Sequence, residues 1–158
     1  MKIQEIFKDG ERIGAWVRCD YATQPFLMAS REWVGVDLDG TLAAAPTPEQ
    51  AEHGILIGDS VPLMLEKVQA MLSGGVTVKV FTARACDPAS IPMGAAWLAS
   101  HGLGSLPITN QKDYDMAVVF DDQAIQIVFG TGMSVMETLL EQKEGDAVAG
   151  SGAVQEAH

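Results

Sequence analysis

The chain has 158 residues, 47% hydrophobic and 20% charged, the composition of one globular domain and not of a disordered or fibrous protein. A formal charge of −11 and a pI near 4.5 exclude broad neutralisation of a nucleic-acid backbone, which needs clustered Lys and Arg, so extended nucleic-acid binding is not expected. No apolar run approaches the ~20 residues that cross a bilayer, and Met1-Lys2-Ile3-Gln4-Glu5 has no apolar signal core, so a cytoplasmic protein without a membrane partner is expected.

Residues 1–31 are mixed: Ile3, Ile6 and Ile13 flank a Lys8-Asp9-Gly10 turn signal, and Trp16-Val17-Arg18-Cys19 alternates like a strand. They read as an N-terminal hairpin or arm. Trp33-Val34-Gly35-Val36 is a short apolar run ending abruptly in Asp37, the pattern of a buried parallel strand, with a sharp turn at Asp39-Gly40. After a loop over 43–58, Ser60 can cap a helix with Pro62 in its first turn and Val61, Met64, Leu65, Val68, Met71 and Leu72 at helical spacing. That helix stops at Gly74-Gly75. The β-branched run 76–82 predicts a second strand, ending in Thr82-Ala83-Arg84. Residues 88–101, rich in Ala and closed by Gly102, predict another helix whose start is blurred by Pro92 and Gly94. Met116-Ala117-Val118-Val119-Phe120, ending in Asp121-Asp122, predicts a third strand, and Ile125-Gln126-Ile127-Val128-Phe129 a fourth. A final helix over 134–143 precedes a mobile tail of Gly, Ala, Ser and acidic residues over 144–158.

Strands separated by helices imply right-handed βαβ units, hence an α/β fold of three layers around a mainly parallel sheet, over residues 32–143. Such sheets bind ligands at the carboxyl ends of their strands, where Asp37, Thr82 and Asp121 all fall.

Asp37-x-Asp39-Gly40-Thr41 after an apolar strand is a match expected by chance in about one chain in a thousand of this length. A carboxylate at a strand end can attack phosphorus and form an aspartyl phosphate, which makes Asp37 the candidate nucleophile. A second carboxylate two residues on, Asp39, can protonate the leaving oxygen and then deprotonate the hydrolytic water. Gly40 permits the tight turn, and the Thr41 hydroxyl can orient Asp39 or cap the turn. Asp121-Asp122 adds negative charge. At ~4 Å, Asp37 and Asp121 would repel by about 4 kcal/mol at an effective dielectric of 20, so a cation is required, and an all-oxygen set without His suits Mg²⁺. Thr82 can donate its hydroxyl to a phosphate oxygen beside the N–H groups of Ala83 and Arg84. Lys112, in the loop before the third strand, can neutralise Asp37 and the phosphoryl group, and Arg84 is a candidate substrate contact. Cys19 and Cys86 have no metal-ligand spacing and read as reduced thiols. His53, His101 and His158 have no triad partner, and no P-loop or dinucleotide glycine fingerprint occurs.

With these residues in place the chain resembles the haloacid dehalogenase-like (HAD) superfamily of phosphohydrolases. Four motifs carry the resemblance in the family's order over about residues 33–130: Asp37-Leu38-Asp39-Gly40-Thr41, Thr82, Lys112 and Asp121-Asp122. It implies a Rossmann-like core with Asp37 as nucleophile and Asp39 as general acid/base. It also implies Thr82 and Lys112 on the phosphate, and Mg²⁺ on Asp37, the Asp39 backbone carbonyl and Asp121 or Asp122. Asp at position 39 matches the family's phosphatases and phosphotransferases and not its dehalogenases. The intervals 42–75 and 85–111 leave no room for a sizeable cap domain, so the chain is similar to the capless type, whose open sites serve large substrates or are covered by another subunit, as in a homo-oligomer. The Phe81-Thr82-Ala83-Arg84 segment and the small core also resemble phage or bacterial proteins related to nucleotidases and polynucleotide phosphatases. The expected activity is therefore Mg²⁺-dependent hydrolysis of a small-molecule phosphate monoester, a nucleotide or a nucleic-acid end. The alternatives are a phosphate- or nucleotide-binding module with little catalysis, or a phosphotransferase.

Overall fold

The computed structural model describes residues 2–18, 26–140 and 142, so Cys19, Lys143 and the predicted tail over 144–158 lie outside the described residues. The chain divides into two compact units, Met1–Asp122 and Gln123–His158.

The first unit begins with an antiparallel meander. β1 (Lys2–Lys8) and β2 (Glu11–Arg18) pair across a turn in which Asp9 and Gly10 both have positive φ, 53° and 83°. Asp-Gly tolerates that conformation, and its twist matches the strands it joins. β3 (Phe26–Ala29) pairs antiparallel with β2, so the segment predicted as a hairpin or arm has three strands. β3 escapes sequence reading because Phe26-Leu27-Met28-Ala29 is short and does not alternate.

The second sheet is four-stranded and parallel throughout, in the order β6-β5-β4-β7. β4 (Trp33–Val36) is buried at all four positions, as an interior strand of a parallel sheet should be. Val34 and Val36 lie in register with Val78 and Val80 of β5 (Thr77–Phe81) and with Val118 and Phe120 of β7 (Met116–Phe120). These side chains join Met64, Val68 and Met71 of α2 (Pro62–Ser73) and Leu98 of α3 (Ile91–Ser100) in one apolar core, to which the meander contributes Val17 and Met28. With α2 crossing from β4 to β5, and α3 from β5 to β6 (Ile108–Thr109), the fold is α/β.

Several local expectations are corrected. Ser60 does not cap α2. It pairs with Ala43 in an isolated antiparallel bridge, and Val61 stands at the N-cap with Pro62 at the first helical position. The loop over 43–58 contains a short helix, α1 (Pro48–Glu52), closed by a capping box in which Thr47 and Gln50 each bond the other's backbone N–H. The helix predicted from residue 88 starts at Ile91, because the Asp87 carboxylate takes the Ala89 N–H and the Ser90 hydroxyl and holds a turn there. The fourth parallel strand is Ile108–Thr109 and not residues 125–129.

In the second unit, residues 125–129 are not an extended sheet strand. Ile127 forms a single bridge with Ser134, Val128 N–H bonds Met133 O and Val135 N–H bonds Gln126 O, while Ile125 and Phe129 are exposed. Gly130 and Gly132, both at positive φ, turn the segment back on itself. Ser134 then caps a helix covering residues 135–140 and 142, in a reciprocal pair with Glu137. Among the described residues, no helix is long and apolar enough to cross a membrane.

Candidate active site

Strand order reverses beside β4. The chain runs from β4 outward through β5 to β6, then returns to place β7 on the other side of β4. Parallel sheets open a crevice at such a point, outside the carboxyl ends of the strands. Here the residues that follow β4, β5 and β7 are Asp37, Thr82 and Asp121.

Asp37 N–H donates to Phe120 O at 2.8 Å, continuing the ladder one step past β4 and setting Asp37 beside Asp121. Asp37, Asp121 and Asp122 each bring a carboxylate oxygen into one group whose members lie within 4.8 Å of one another. Burial pushes the Asp37 carboxyl up to about 6. The Leu38 N–H bonded to it pulls the other way, and the charges of Asp121, Asp39 and Asp122 add to the rise.

Asp122 is held from the motif loop. Its backbone N–H donates to the Thr41 hydroxyl at 3.0 Å, and that hydroxyl lies 3.4 Å from the Asp122 carboxylate. Thr41 therefore orients Asp122, where the expectation was that it orients Asp39 or caps the turn. Gly40, at φ 90°, lets this happen: a Cβ there would stand 2.6 Å from Asp122 Oδ2.

Asp39 is engaged elsewhere. Arg84 Nε donates to Asp39 Oδ2 at 2.6 Å and Arg84 Nη2 to Oδ1 at 2.7 Å, a two-point ion pair, and Nη2 also donates to Leu56 O at 2.7 Å. The pair raises the already high pKa of Arg84. The Asp39 carboxylate is thus not among the three that converge. Its backbone carbonyl accepts no backbone N–H among the described residues, because Gly40 N–H goes to Ala43 O and Ala43 N–H to Leu38 O.

Thr82 is the one buried polar side chain among the described residues, 3% exposed. It caps the 3₁₀ turn Ala83–Cys86 by accepting the Arg84 N–H at 3.3 Å, which leaves its hydroxyl proton free to be donated. The Ala83 N–H has no backbone acceptor among the described residues, whereas the Arg84 N–H is taken by Thr82. Lys112 is exposed and forms no ion pair with a described residue. Its loop is anchored at the opposite end of β4: Asp113 accepts Trp33 Nε1 at 2.7 Å and lies 3.6 Å from Lys79 Nζ, which sits 4.1 Å over the Trp33 ring. Cys86 is an exposed free thiol accepting from Asn110 Nδ2.

The structure therefore brings Asp37, Asp121 and Asp122 together, sets Thr82 and Ala83 at the end of the neighbouring strand, links Asp39 to Arg84, and leaves Lys112 apart from the carboxylates in any ion pair. Two participants were not anticipated as such: the Thr41 contact to Asp122, and the Leu56 carbonyl that steadies Arg84. Neither has a sequence signal, since both are contacts between distant segments.

Comparison of the chain with protein-family models, with curated proteins and with solved structures finds no match.

Proposed function

We propose that the chain is a Mg²⁺-dependent phosphohydrolase of the HAD-like kind, acting on phosphate monoesters through an aspartyl phosphate on Asp37, and that its parallel sheet is the corresponding Rossmann-like core. The observation that carries this reading is the convergence of Asp37, Asp121 and Asp122 within 4.8 Å at the carboxyl ends of adjacent strands. The donor set fits the metal: it is all carboxylate, with no nitrogen or sulfur donor, gathered within 4.8 Å. Asp37, Asp121, Asp122 and the Asp39 carbonyl would hold Mg²⁺, which when bound offsets their mutual repulsion and that of the incoming phosphate.

The chain's own groups account for the rest. A carboxylate oxygen of Asp37 attacks phosphorus as the bond to the leaving oxygen breaks, and Asp39, once it has left Arg84 and taken up a proton from solvent, passes that proton to the leaving oxygen. Water then gives its proton to Asp39 and its oxygen to phosphorus, releasing inorganic phosphate and restoring the Asp37 carboxylate. The Thr82 hydroxyl and the Ala83 N–H donate to the non-bridging oxygens. The bidentate hold of Arg84 on Asp39 favours one second reading, a phosphate- or nucleotide-binding module with little catalysis. Phosphate release from a panel of monoesters with Mg²⁺ tests both. Turnover is expected, and Asp37→Asn should lower it about a thousandfold or more. Stabilisation by ligand without release of phosphate would favour the binding module.

A further inference from the structure

We infer that Arg84 keeps Asp39 in reserve and yields it to substrates that carry a second oxyanion on the leaving group, a selectivity that rests on the phosphohydrolase reading above. Both carboxylate oxygens of Asp39 are taken by the Arg84 guanidinium, at 2.6 and 2.7 Å, so Asp39 must exchange this partner before it can reach a leaving oxygen. Breaking the pair without replacement would strand a cation whose side chain is only 23% exposed. A planar guanidinium accepts another two-oxygen anion in place of Asp39 with the same fork geometry, which a neutral group cannot supply.

Three features put Arg84 where such an exchange would occur. It stands two residues beyond Thr82, in the turn at the end of β5, beside the groups that face the transferred phosphate. Its Nη2 also donates to Leu56 O at 2.7 Å, a hold on the guanidinium separate from Asp39, so the anion can change while the arginine stays. Ile55 and Leu56 are exposed next to that carbonyl, 43% and 55%, and offer an apolar wall to the body of a leaving group. Arg84 thus binds the second anion of the substrate and by doing so releases Asp39, and the substrate class is a phosphate monoester with a carboxylate or second phosphate on its alcohol.

Matched pairs decide it: phosphoglycolate against ethyl phosphate for a carboxylate, and a nucleoside 3′,5′-bisphosphate against the 3′-monophosphate for a phosphate. The wild-type protein with Mg²⁺ should prefer the doubly anionic member of at least one pair by about tenfold or more in kcat/KM, with part of the gain in kcat. Arg84→Met should reduce that preference to less than about twofold and raise kcat on ethyl phosphate severalfold, because Asp39 is no longer held. Arg84→Lys, which keeps the charge and loses the fork, should fall between. A wild-type ratio near one in both pairs, or an equal fall in kcat on all four esters in Arg84→Met, overturns the proposal. If no ester is turned over, the phosphohydrolase reading falls. Calorimetric titration of wild-type and Arg84→Met protein with phosphoglycolate and ethyl phosphate then still reads the exchange, and equal binding of the two by wild-type protein overturns it.

Discussion

In the proposed reaction the attacking carboxylate has to be sheltered and still be able to ionise, and Asp37 is partly buried with its pKa raised. Burial, followed by the charges of its neighbours, holds it at about 6, above its ordinary 3.8. The proton is therefore bound more tightly in the folded chain than in the unfolded one. This group's stabilisation is fully present below pH 3.8 and is lost as pH rises through 6, a loss of about 1 kcal/mol once solvent screening is allowed for. A cation held by these carboxylates, as proposed, would bind the ionised form and reverse the trend. The thermal stabilisation produced by Mg²⁺ should thus be small at pH 5 and grow towards pH 7.5, and Asp37→Asn should flatten that growth. Scanning calorimetry at fixed ionic strength, with and without Mg²⁺, measures it. Asp37 was legible from sequence because an apolar strand ending in Asp-x-Asp-Gly-Thr states its own geometry. The pairing of Asp39 with Arg84 was not, since the two are 45 residues apart and only the return of β5 beside β4 brings them together.

At the scale of elements, β4, β5, β7 and α2 were readable because each is an apolar or β-branched run, or an apolar stripe, with a clear stop. β6 has two residues and no pattern to read, and 125–129 has a strand's composition without a sheet neighbour to pair with. Helix α1 was missed although Thr47-Pro48-Glu49-Gln50 spells out its capping box, with Pro48 at the first helical position. None of its residues is buried, so it depends on those caps and on the Gln50 side-chain bond to Asp59 at 3.2 Å. Thr47→Ala should cost about 1 kcal/mol locally. The expected result is faster hydrogen exchange at Gln50 and Ala51, with the amides of β4 and β5 unaffected.

Across the molecule, the N-terminal meander is part of the folded core of the first unit. Val17 and Met28 are fully or almost fully buried in the same apolar cluster as Val34, Val36 and Val80. Val17→Ala should therefore destabilise the parallel sheet as well as the meander, by about 2 kcal/mol. Native-state hydrogen exchange should show the loss at β4 and β5 amides as much as at β2, and a loss confined to β1 to β3 would show the two sheets to be energetically separate. The stretch between the motif loop and α2 has the opposite character. It departs and returns through one narrow neck, where Ala43 bridges Ser60, Ala44 N–H bonds Asp59 O and Val61 N–H bonds Leu42 O. With its ends pinned side by side, the intervening chain can lengthen at a cost of only about 0.6 kcal/mol per doubling, leaving the sheet's register untouched. The neck is a ready port for grafting: a whole folded module spliced at Gly54, where the backbone turns at positive φ in open space, would leave the parallel sheet and the carboxylates at its strand ends as they are.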